Sequence, residues 1–107
     1  MTSQIEIPPS FSQLFRHRSG RLLHPASTVL ARYELCEDLA CALVEQAQSL
    51  YHGGHSDESG VLLGLHGAIS GPDAGLSPSE AHWVVQRLAE LLQWKAPLLP
   101  AAPATAD

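Results

Sequence analysis

A chain of 107 residues and 11.5 kDa is one small domain with little room for a second. Hydrophobic residues make up 45% of it, enough for a core, whereas only 16% are charged, below the roughly 25% usual for soluble domains. The formal net charge of -5 argues against general nucleic-acid binding but leaves room for a local basic site. No run approaches the roughly 20 apolar residues of a membrane span, and the opening MTSQIEIPPS lacks a basic region followed by an apolar run, so cytoplasmic residence is expected.

Leu and Ala supply 31 residues against 11 of Val, Ile and Thr. Unbranched side chains lose less rotamer freedom in a helix, so this balance predicts an all-α fold. The chain opens with an extended arm over residues 1–9, where Ile5-Glu6-Ile7 alternates and Pro8-Pro9 closes it. Ser10 and Gln13 then form the S-x-x-Q pattern of a capping box. Phe11, Leu14 and Phe15 share one side of a short helix too small to stand alone, so it must dock on the rest of the protein. Residues 16–25 read as a loop, interrupted by Gly20 and Pro25.

The main helix is predicted over residues 27–52, capped by Ser27 or Thr28 and stopped by Gly53-Gly54. Its seam is Val29, Tyr33, Cys36, Ala40, Leu43, Ala47 and Leu50, with alternating steps of four and three. Leu35, Leu39 and Val44 are expected to widen it. Cys36 and Cys41 are five apart on this helix and diverge by about 140°, which makes a disulfide between them geometrically poor. Without a CxxC pair they give no zinc or redox signal.

A third helix is predicted from Ser56, with Asp57 and Glu58 in its first turn and Val61, Leu62, Leu65 and Ile69 on its apolar face. Gly60, Gly64, Gly67 and Gly71 fall on one stripe. Either they fray the helix or they admit a close backbone neighbour. The clearest local signal follows: Ser77 as cap, Pro78 at the first helical position, Glu80 completing S-x-x-E, and Leu76 as a staple. This fourth helix is predicted to reach Trp94 or Lys95, with Val84, Val85, Leu88, Leu91 and Leu92 on one face. Residues 96–107 are Ala/Pro-rich and expected to be a disordered tail. The expected architecture is therefore a small helical bundle, one domain over residues 1–95, with three main helices and a short N-terminal one.

Several groups of residues invite a functional reading. Trp83 and Trp94 fall opposite the fourth helix's apolar face, beside Arg87 and Glu90. A helix that is apolar on two sides normally touches two things. Either Phe11, Leu14 and Phe15 fold over that side, or it is a contact surface for a partner or a second copy, since Trp and Arg are favoured anchors. Arg16, Arg18 and Arg21 lie in the loop. Residues 1–32 carry four arginines and one acid, net +3, whereas residues 33–107 carry Arg87 and Lys95 against ten acids, net -8. The loop is either attracted to the protein's own acids at Glu34, Glu37 and Asp38 or it recognises an acidic partner or phosphate. No interleaved aromatic pattern supports single-stranded nucleic acid, so nucleic acid is disfavoured as a partner.

The six histidines are His17, His24, His52, His55, His66 and His82. His52 and His55 have HxxH spacing but straddle a glycine turn, and no further ligand is placed to complete a zinc site. No metal and no cofactor is expected. There is no HExxH and no GxSxG, and Glu34, Glu37 and Asp38 read as a solvated face, so no catalytic residue is expected either.

The runs ARYELCEDLA at residues 31–40, Ser79-Glu80-Ala81 and WVVQRLAELL at residues 83–92, with IEIPPSF at residues 5–11, resemble a family of small proteobacterial proteins of unknown function, some labelled "ATPase with chaperone activity". The likeness covers residues 5–94. That label implies a nucleotide site, yet the chain has no G-x-x-x-x-G-K-[ST] and its only lysine is Lys95. The sequence thus points to a non-enzymatic interaction module, an adaptor or small regulatory protein with an unidentified protein partner and a homodimer as a candidate assembly. Its expected surface is Trp83, Arg87, Glu90 and Trp94, flanked by Arg16, Arg18 and Arg21. The rival reading is a small-molecule or nucleotide-handling protein whose site forms only on folding or dimerisation.

Overall fold

A seam of small and medium side chains sets the central helix. The computed structural model describes residues 7–17, 19–54 and 56–95, and in it α2 spans Ala26–His52, about 40 Å at 1.5 Å per residue. Val29, Cys36, Ala40, Leu43 and Ala47 are buried along it, and Tyr33, Leu39, Val44 and Leu50 are half-buried at its flanks. Leu35, expected to widen the seam, lies 46% exposed on the outer side. Around α2 are α1 (Pro9–Ser12), a 3-10 turn (Gln13–Phe15), α3 (Glu58–Ile69) and α4 (Pro78–Leu92). Among the described residues there is no strand, only an isolated antiparallel bridge between Arg16 and Leu22.

The most extensive packing is α4 on α2. Ala40, Ala47 and Cys36 let α4 approach, and Val84, Val85, Leu88 and Ala89 fill the space. Contacts between the N-terminal parts (Arg32 with Glu80) and the C-terminal ends (Tyr51 with Trp94) show that the two helices run in the same general direction. α3 returns between them and contributes Val61, Leu62, Leu65 and Ile69. Each large apolar side chain buried this way contributes roughly 1.5–3 kcal/mol. That offsets the poor helix propensity of α3, whose glycine stripe neither frays the helix nor admits a neighbour. A Cβ on Gly64, Gly67 or Gly71 would meet nothing within 4 Å, and one on Gly60 would meet only Ser56 and Asp57.

The helix ends show where local patterns were overruled. Ser77 forms the full capping box with Glu80, as its sequence predicts. The cap of α3 is Asp57, whose Oδ1 accepts from the Gly60 amide at 2.8 Å, one residue later than expected. α2 is capped by neither Ser27 nor Thr28. Pro25 holds extended dihedrals, and its carbonyl accepts from Thr28 and Val29 at 3.0 and 3.1 Å. Ser10 is not a cap but a residue inside α1, which Pro8 precedes and Pro9 opens. α4 ends at Leu92 rather than at Trp94 or Lys95, because Gln93 turns left-handed at φ 61° and aims Trp94 back at Tyr51. The loop over residues 16–25 is closed by backbone hydrogen bonds, the His17 N–H donating to the Arg21 carbonyl and the Leu23 N–H to the Phe15 carbonyl, 2.8 and 2.7 Å, around Gly20 at φ +92°.

No described helix is long and apolar enough to cross a membrane. The tail over residues 96–107, residues 1–6 of the arm, Arg18 and His55 lie outside the described residues.

Candidate functional site

The N-terminal element docks through one side chain. Phe11 is fully buried, and its ring sits 5.3 Å from Phe15, 5.5 Å from Tyr33 and 5.0 Å from Trp83 between centroids. Trp83 closes this cluster against Tyr33 at 5.9 Å, and its indole N–H donates to the Ser10 hydroxyl at 3.1 Å. Edge-to-face contacts of this kind are favoured by the ring quadrupoles. Of the two readings of the Trp83 side, the structure shows the first: the N-terminal helix covers it, and Trp83 is buried. Trp94 shares no face with Trp83. The helix has ended before it, and its ring packs on Tyr51 at 5.2 Å.

Beside the aromatic cluster a cleft of about 290 Å³ opens, lined by Pro8, Ser10, Tyr33, Trp83, Gln86, Arg87 and Glu90. α2 supplies Tyr33, α4 supplies the last four, and the N-terminal segment forms the far wall. Arg87 is fixed at its rim. Its Nε and Nη2 donate to the two Glu37 carboxylate oxygens at 2.9 and 3.0 Å, and Nη1 donates to Glu90 at 3.1 Å. The Glu37 bonds hold the guanidinium firmly in its charged form, outweighing partial burial. Burial and the nearby Glu37 also push the Tyr33 phenol above its ordinary value, so it stays a neutral hydroxyl. On the other side of Tyr33 a more open depression of about 440 Å³ is bordered by Glu34, Glu37 and Asp38. Tyr33 belongs to both, and Glu37, which borders the second, is tied to Arg87 in the first.

Among the described residues, the arginine paired with the acidic side of α2 is Arg87 of α4, and neither Arg16 nor Arg21 of the loop pairs with it. Arg16 donates to the Gly20 carbonyl at 2.6 Å within its own loop, and Arg16 and Arg21 line neither cleft beside Tyr33. Of the expected surface, Arg87, Glu90 and Trp83 come together, Trp94 sits at the far end of α2, and Arg16 and Arg21 are exposed on the loop.

A third cleft, lined by Phe15, His24, Thr28, Arg32, Gly75, Ser77 and Glu80, holds a pair that the sequence did not single out. Arg32 Nε and Nη2 donate to the Glu80 carboxylate at 2.8 and 2.7 Å, and Nη2 also reaches the Gly75 carbonyl at 2.8 Å. Burial alone would raise the Glu80 pKa, but the hydrogen bonds from Arg32 and Ser77 outweigh it and hold the carboxyl below its usual range. The capping box gave a role to Glu80 but no hint of Arg32. The residues missed in the cleft beside the aromatic cluster are Pro8, Ser10, Tyr33 and Gln86. Tyr33 was legible as an aromatic in an otherwise small-residue seam.

The cysteines behave as their spacing predicts: both are free, Cys36 buried and Cys41 exposed. Burial, reinforced by Glu80, pushes the Cys36 thiol up to about 12, so it is inert at neutral pH. Among the described residues no three His, Cys, Asp or Glu side chains gather as a metal site. No family model, no curated protein and no solved structure matches the chain.

Proposed function

We propose that the protein is a non-enzymatic interaction module, an adaptor or small regulatory protein, whose contact surface centres on Tyr33 between α2 and α4. The Arg87 clamp carries this reading. It fixes one positive group between Glu37 and Glu90 at the edge of an aromatic cleft, with Gln86 and Glu90 exposed on the rim. A fixed pattern of charge around an aromatic edge gives an interface its register and specificity, and Tyr and Arg are enriched in such patches. Arg87 together with Glu34, Glu37, Asp38 and Glu90 carries a formal charge of -3, which suits a basic partner and repels the phosphates of a nucleotide. The rival nucleotide-handling reading has that electrostatic balance against it. Cytoplasmic residence, an unidentified protein partner and a homodimer as a candidate assembly belong to the same proposal.

The test is affinity capture from lysate of the source organism with wild type and the double variant Gln86→Arg, Glu90→Arg. Both positions are exposed, so the melting curve is expected to stay close to wild type. A partner recovered by wild type and lost by the variant supports the surface. Equal recovery of every partner removes it, and a saturable rise of the melting temperature with ATP favours the nucleotide reading instead.

A further inference from the structure

Away from the Tyr33 clefts, two histidines that the sequence separates are brought together. His66 on α3 and His82 on α4 have ring centroids 6.3 Å apart at 89°, and both are half-buried. Neither imidazole has a hydrogen-bond partner among the described residues, and no buried side-chain nitrogen is left without one, so the ring nitrogens face water. We propose that His66 and His82 form a two-histidine chelate, across the α3–α4 seam, for a single divalent transition-metal ion of the imidazole-preferring class.

The geometry supports it. An imidazole nitrogen binds such an ion at about 2.0–2.1 Å and lies about 1.2 Å from its ring centre, so two rings on one ion have centroids about 4.5 Å apart at a right angle, about 5.3 Å at the tetrahedral angle and about 6.5 Å when opposed. The observed separation of 6.3 Å lies at the opposed end of that range and suits trans positions on a six-coordinate or square-planar ion. The terminal torsion of histidine is broad, so each ring can turn a nitrogen toward a shared ion without moving its helix. α3 and α4 are held by the buried Val61, Leu62, Leu65 and Ile69 on one side and Val84, Val85 and Leu88 on the other. The two ligands are thus presented by rigid elements, and the second bond is intramolecular once the first has formed. With only two protein ligands, water completes the coordination. Affinity should then follow the order of the ions themselves, Cu²⁺ above Ni²⁺ and Zn²⁺, and Mn²⁺ weakest.

The test is calorimetric titration of the full chain with NiCl₂ at neutral pH, in wild type, His66→Gln, His82→Gln and His52→Gln, with circular dichroism to confirm that each variant is folded. The expected result is one ion per chain in wild type. Each of the first two substitutions weakens binding about tenfold or more by removing the chelate, and His52→Gln leaves it unchanged. Affinity that survives His66→Gln and His82→Gln, affinity that falls only with His52→Gln, a stoichiometry of one ion per two chains, or no binding by wild type would each overturn the proposal.

Discussion

Two arginine–glutamate clamps tie α2 to α4, and they differ chiefly in their access to water. In the first, Arg32 on α2 grips Glu80 in the first turn of α4, and the Glu80 side chain is only 4% exposed. That carboxylate also accepts from the Ser77 amide at 2.9 Å, so one side chain caps α4, anchors it to α2 and, through Arg32, reaches the Gly75 loop. In the second, Arg87 on α4 grips Glu37 on α2 with nearly the same bidentate geometry and a guanidinium as exposed as that of Arg32 (34% against 32%), but Glu37 is 22% exposed and the third member, Glu90, 69%. The same pair of side chains therefore does two jobs. Where the carboxylate is shut off from water, as at Glu80, the pair is part of the fold and breaking it is costly. Where water reaches every member, the pair contributes little to stability and its groups remain available at a surface.

The comparison breaks most readily at Glu80. Glu80→Ala removes a buried carboxylate, a cap and the partner of Arg32. Removing one member of a buried pair costs roughly 3–5 kcal/mol, and the low end, about 3 kcal/mol, is expected here because Arg32 can turn partly to water. Urea unfolding checks the value. A second readout sits beneath the clamp: Cys36 is buried next to Glu80 and protonated, whereas Cys41 is exposed. A thiol reagent should modify Cys41 quickly and Cys36 only when the structure opens. Glu80→Ala should accelerate modification of Cys36 on the order of a hundredfold, and Arg87→Ala about fivefold at most. Equal acceleration by both would mean that the two clamps are not distinct.

Acid provides a smaller and more selective probe. The folded-state pKa of Glu80 lies below the ordinary value of 4.5. The stability it contributes is therefore complete above that value and is lost as the pH falls through the lower, folded-state pKa. Wild type should lose stability over that interval, and Arg32→Gln, which removes the main stabiliser of the ionised form, should show a shallower fall. Denaturant midpoints from pH 5 down to pH 3 test this. Parallel curves would place the acid sensitivity elsewhere.

The clamps also mark the boundary of what the chain makes legible. The helices are visible because their causes are local: the four-three stepping from Val29 to Leu50 and the Ser77-Pro78-Ser79-Glu80 cap lie within a few residues of what they control. The site is mostly invisible because its causes are not. Arg32 meets Glu80 across 48 positions, Arg87 meets Glu37 across 50, and Trp83 meets Ser10 across 73. Ser10 shows the two scales in competition. Its spacing to Gln13 satisfies a capping rule, but Pro9 has already opened the helix before it, and its hydroxyl accepts from the Trp83 indole instead. Trp94 shows the reverse limit, since a helical wheel places it beside Trp83 only if the helix continues, and Gln93 stops it.

The smallest effect should come from the second clamp, and its smallness carries the argument. Arg87→Ala removes three hydrogen bonds, yet every group it leaves behind can be solvated. Exposed ion pairs are worth about 0.2–1 kcal/mol, with bidentate arginine at the upper end, so a loss of about 1 kcal/mol or less is expected. Glu37→Gln should cost no more, and the coupling between the two in a double-mutant cycle should shrink as salt is added, because charges open to solvent are screened. The Arg32–Glu80 coupling should persist at the same salt concentration. A salt-resistant Arg87–Glu37 coupling as large as that of the buried pair would show the second clamp to be part of the scaffold and would leave the cleft at Tyr33 without the fixed but water-accessible charges on which its proposed role depends.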